Sequence, residues 1–69
     1  MAYIYVRNSD SMVVGVKQDP IEYDNTLYTE IVGDWDRSLR WVNTKILSNG
    51  DGTFFDTGID QPDDNDGLI

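Results

Sequence analysis

A chain of 69 residues with neither cysteine nor histidine accommodates one small domain, without disulfides and without a thiolate or imidazole metal site. Its 13 acidic and 5 basic residues give a net charge of −8, which speaks against nucleic-acid binding and against direct adhesion to an anionic membrane. A core of this size rarely supplies more than ~3–5 kcal/mol, so association with itself or with a larger partner is the expected further source of stability.

The opening MAYIYVRNSD has no basic segment followed by a long apolar run, so no secretory signal is expected. No stretch approaches the ~20 apolar residues that cross a membrane, and the protein is expected to be soluble. Ala2 to Arg7 reads as a strand, with Tyr3, Tyr5 and Arg7 on one face and Ile4 and Val6 on the other. Asn8 to Ser11 is a cluster of turn formers, and Met12 to Val16 completes a hairpin in which Gly15 marks a bulge or a close backbone approach. Lys17 to Asn25 is a connection: Pro20 argues against a central strand, and Ile21 and Tyr23 are suited to pinning the loop to the core. Leu27 to Val32 alternates as a third strand, ended by Gly33.

Asp34 to Leu47 admits two readings. Trp35, Leu39, Val42 and Ile46 are spaced as one apolar stripe of a helix, with Asp34 as its N-cap. Residues 40–47, RWVNTKIL, also hold several β formers, and the span lacks the Ala, Glu and Gln of a good helix. The Asn-Gly and Asp-Gly pairs within 49–52 are a strong hairpin signal, and Thr53 to Ile59 reads as the returning strand, with Phe55, Thr57 and Ile59 opposite Phe54 and Asp56. That signal favours a strand over 40–47, with a turn or a single helical turn at 34–38. The expected fold is mainly β: a small antiparallel meander or open barrel of four to six short strands, with one helical turn near 34–40. A β-rich domain over 1–59 is followed by an acidic C-terminal arm, 60–69, expected to be disordered or extended, with four aspartates and no base.

Chemistry-bearing patterns are sparse. Only an oxygen-ligand ion such as Ca²⁺ remains open among metals, and neither NGDG nor DDNDG fits an EF-hand loop, because the ligand positions around Gly52 and Gly67 carry the wrong residues or run off the chain. No metal or cofactor is expected. Asp34 and Asp36 are the nearest thing to paired carboxylates, without a visible orienting partner, and no phosphate-binding glycine loop occurs. The chain is read as a non-enzyme. Trp35, Trp41, Phe54 and Phe55 suit a small core, yet a domain this size has difficulty burying two Trp, two Phe and four Tyr together. Trp35, Arg37, Arg40, Trp41 and Phe54, with Leu68 and Ile69 at the end of the arm, are therefore the candidate interface residues, since Trp, Tyr and Arg are enriched at binding hot spots. Arg37 and Arg40 suit a polar rim or an acidic partner, or else they neutralise Asp34 and Asp36. The acidic excess also admits an alternative in which carboxylates imitate phosphates and block a nucleic-acid-binding host protein; such binding is weakened by salt.

The succession VVGV at 13–16, DPIEYDNTLYTEIVGD at 19–34 and RWVNTKIL at 40–47 resembles small virion proteins of tailed bacteriophages, of the tail-fibre, baseplate and head-accessory kind. The resemblance covers about residues 2–47, and Gly50 to Ile69 departs from it. It implies a multi-copy structural component that assembles in the host cytoplasm, resides in the virion, and acts through contacts with itself or with larger virion proteins. It carries over no catalytic or binding residue.

Overall fold

The computed structural model describes residues 1–61. The expected character of most of the acidic arm, and the positions of Leu68 and Ile69, lie outside the described residues. Five strands form: β1 (Ala2–Arg7), β2 (Val13–Lys17), β3 (Tyr28–Gly33), β4 (Thr44–Ser48) and β5 (Phe54–Asp60). All pairing is antiparallel, in one sheet of order β2-β1-β3 and a second of order β4-β5. The mainly-β expectation is met.

The first strand becomes the centre of its sheet because both of its faces are apolar. Tyr5 meets Met12, Val14 and Tyr28 on one face, with Tyr3, Ile21, Tyr23 and Leu47 packed around them. Ile4 and Val6 meet Val13 and Ile46 on the other, under Ile31, Trp35, Leu39, Trp41 and Phe54. The three-stranded sheet is thus a middle layer. The connection between β2 and β3 covers one side, where Ile21 and Tyr23 pin it as expected; the rings of Tyr5 and Tyr23 lie 5.3 Å apart. Ile46 and Phe54 of the β4–β5 half pack on the other, while Leu47 reaches the first. The bulge expected at Gly15 is present: Tyr5 stands opposite Gly15 and Val6 opposite Val13, leaving Val14 as the extra residue. It brings Val13 opposite Val6, both on the face of Ile4 and Ile46, while Val14 joins Tyr5 and Met12 on the other.

A single bridge, Met12 to Leu47, joins the two sheets. Within it the Ser48 N–H donates to the Ser11 carbonyl at 2.8 Å. The Asn-Gly and Asp-Gly pairs do build the β4–β5 turn, with Gly50 and Gly52 at φ +85° and +92°, values that L side chains rarely adopt. The returning strand begins at Phe54 and runs to Asp60. Along it the register slips between Thr44↔Asp60 and Ile46↔Asp56, and Gly58, at φ +75°, lies within the slip.

The connection between β3 and β4 keeps the turn expected at 34–38, between Asp36 and Leu39, and the strand expected over 40–47 from Thr44 onward, but not the helical alternative. Residues 34–43 form neither a helical turn nor a strand, and β4 begins at Thr44 rather than at Arg40. Two successive turns replace them: Leu39 N–H donates to the Asp36 carbonyl at 3.0 Å, and Asn43 and Thr44 N–H donate to the Arg40 carbonyl at 2.9 Å. The first turn is not propagated. Trp35, Leu39 and Trp41 all pack toward the core, a spacing that no single helical face satisfies, and this Asp-, Ser- and Asn-containing span has little intrinsic helical preference to resist them.

Candidate functional site

The turns at 34–43 leave an open groove of about 420 Å³ lined by Trp35, Arg37, Leu39, Arg40, Trp41, Val42 and Asn43. Both local and long-range contacts shape its walls. Asp36 Oδ1 accepts from the Ser38 N–H at 2.9 Å and from the Ser38 hydroxyl at 2.7 Å, closing the turn that carries Arg37. These bonds favour the ionised carboxylate and hold the Asp36 carboxyl below the ordinary aspartate range. Trp35 is half-buried and meets the Phe54 ring edge-on, with centroids 5.2 Å apart. At the other end, Gln61 Nε2 donates to the Trp41 carbonyl at 2.7 Å, and the Gln61 N–H donates to the Asn43 carbonyl at 3.1 Å. Residue 61 therefore closes the backbone of the groove, although sequence alone assigns it to the arm.

Four of the candidate interface residues, Trp35, Arg37, Arg40 and Trp41, line this one groove. Phe54 supports Trp35 but is not part of the lining. Val42, Leu39 and Asn43 complete the wall. The helical stripe placed Val42 inward, whereas it is 65% exposed; with no helix, the i+7 spacing has no meaning there. Arg37 and Arg40 are exposed. The reading in which they neutralise Asp34 and Asp36 is not met: the ion pair among the described residues joins Arg7 to Asp10. Asp36 is engaged with Ser38, and Asp34 borders a different cleft, with Met1, Lys17, Asp19 and Arg37. Among the described residues no carboxylate lines the groove.

The same local device recurs along the chain. Asp24 Oδ1 accepts from Thr26 N–H and Oγ1, and Asp51 Oδ1 from Thr53 N–H and Oγ1. Asp10 accepts from the Met12 N–H at 3.1 Å, and Asp56 from the Gly58 N–H at 2.7 Å. The carboxyls of Asp24 and Asp51 are held low by their threonines, and that of Asp10 by Arg7 first. Among the described residues no group of three carboxylates could hold a metal ion. At the centre of the core, buried Tyr5 donates its hydroxyl to Glu30 Oε2 at 2.8 Å and accepts from the Ile21 N–H at 3.0 Å. Burial, above all, pushes its phenol up.

Comparison with known protein families, with curated proteins and with solved structures gives no match for this chain.

Proposed function

We propose that the chain is a non-enzymatic assembly module that works through protein–protein contacts, as a multi-copy accessory of the head, tail or baseplate in a tailed-phage virion. The carrying observation is the groove at 35–43. It presents two half-buried tryptophans and two arginines without an ion-pair partner among the described residues, the side chains that dominate binding energy at interfaces. The small buried core supports the same reading, because a partner bound only by the folded chain adds to its stability by mass action. The alternative in which the acids mimic phosphates draws less support. A mimic needs carboxylates presented to a basic partner, and Asp10, Asp24, Asp36, Asp51 and Asp56 each bond within their own turns.

Size-exclusion chromatography with light scattering over a range of concentrations, together with co-sedimentation with assembled particles, tests the proposal. Concentration-dependent association or particle binding is expected, and Trp35→Ala or Trp41→Ala should abolish it in chains that still fold. A monomer at every concentration, with no affinity for any particle component, overturns it.

A further inference from the structure

We infer that the groove at 35–43 binds an acidic peptide segment of a partner protein, with its carboxylates on Arg37 and Arg40 and an apolar residue against the tryptophan rings. The inference deepens the assembly reading and rests on it for the groove's role in binding. What carries it is a local inversion of charge. The chain bears −8 overall, yet among the described residues this groove is lined by two arginines and no carboxylate. Of the nearest acids in sequence, Asp36 is held in its bonds with Ser38, and Asp34 lies outside the groove in an adjoining cleft that Arg37 also borders. Neither guanidinium has an ion-pair partner among the described residues. A guanidinium offers a planar fork that matches a carboxylate in two parallel hydrogen bonds, and Trp35, Leu39, Trp41 and Val42 supply apolar wall between and beside the two. A nucleic acid would meet the same two arginines but would carry its extended charge into the field of a strongly acidic chain. A short acidic segment avoids that cost.

The test is titration of the full chain, followed by tryptophan emission, with a capped hexapeptide alternating aspartate and leucine. Its asparagine–leucine counterpart and a short DNA duplex serve as comparison probes. Saturable binding of the aspartate peptide is expected, weakened by salt and at least about tenfold tighter than that of the asparagine peptide, a difference of 1.4 kcal/mol or more. The double variant Arg37→Gln, Arg40→Gln should lose this preference while keeping the far-ultraviolet spectrum of the parent, since both side chains are exposed. Equal response to the two peptides, an undiminished preference in the arginine variant, or a response to DNA alone overturns the inference. So does a change in emission on Asp63→Asn, Asp64→Asn, Asp66→Asn before any peptide is added, because the occupant would then be the chain's own acidic sequence. A protein that takes the peptide but never joins a particle keeps this inference and loses the assembly reading; one that assembles but ignores the peptide does the reverse.

Discussion

Aspartate has a different job in this domain from the one its abundance suggests. In Asp24-Asn-Thr26, Asp36-Arg-Ser38 and Asp51-Gly-Thr53 one carboxylate oxygen takes both the N–H and the hydroxyl two residues on. Composition reads such residues as surface charge, whereas they fix the turns that join the strands. Each of these carboxyls, and that of Asp10, is held below the ordinary aspartate range. Folding therefore favours the ionised forms. Their contribution is complete above about pH 4 and is lost as the pH falls through the lower folded values. Acid unfolding followed by circular dichroism should become less steep in the triple variant Asp24→Asn, Asp36→Asn, Asp51→Asn, which keeps the turn acceptors without the titration. Tyr5 works at the opposite end of the scale. Its phenol is raised above the ordinary tyrosine range, so the stability it confers is complete below about pH 10 and is lost as the pH rises through the folded value. Tyr5→Phe leaves Glu30 and the Ile21 N–H without the hydroxyl they share, an expected loss of about 1–3 kcal/mol in urea unfolding. Gly58 isolates a backbone effect. A Cβ there meets nothing within 4 Å, yet φ is +75°, so Gly58→Ala should cost about 1–2 kcal/mol from conformation alone.

At the level of elements, local signals were enough wherever a strand was bounded by turn chemistry. Ala2–Arg7 is bounded by Asn8 to Ser11, Gly33 closes β3, and Gly50 and Gly52 set the β4–β5 turn. They failed where contacts distant along the chain decide the geometry. Residues 34–43 are shaped by Trp35 against Phe54 and by Gln61 on the Trp41 carbonyl, neither of which any window of local sequence contains. The candidate site was legible as a cluster of Trp and Arg, because those residue types are themselves the signal. Its closure by Gln61 and the outward turn of Val42 were not. Nor was the central place of β1: alternation separates the two faces of a strand but does not say that both are covered. Gln61→Ala removes the hydrogen bond that holds the groove's end, and about 0.5–1.5 kcal/mol should go with it. A shift in Trp41 emission, read against Trp41→Phe to assign the signal, checks that the groove itself has loosened.

The molecule as a whole has little in reserve. Eight buried hydrophobic side chains make up the core of the described residues. Ile46 is the one β4–β5 residue fully inside it, and Ile46→Ala should cost about 2–5 kcal/mol, most or all of what so small a core supplies. Loss of the thermal transition at physiological temperature is the expected outcome, with partial rescue by whatever partner fills the groove. The bridge from Met12 to Leu47 gives this a spatial form. Three strands share long ladders, whereas the β4–β5 hairpin reaches them through one rung, of which the Ser48–Ser11 hydrogen bond is part. A body joined by so few backbone bonds opens in steps, and its amides exchange hydrogen by a cheaper route than those of β1. The groove belongs to the segment that leads into β4. An occupant there would act as a clasp on the hairpin, and slowed exchange at Lys45, Ile46 and Leu47, with little change at Ile4 to Val6, would be its imprint.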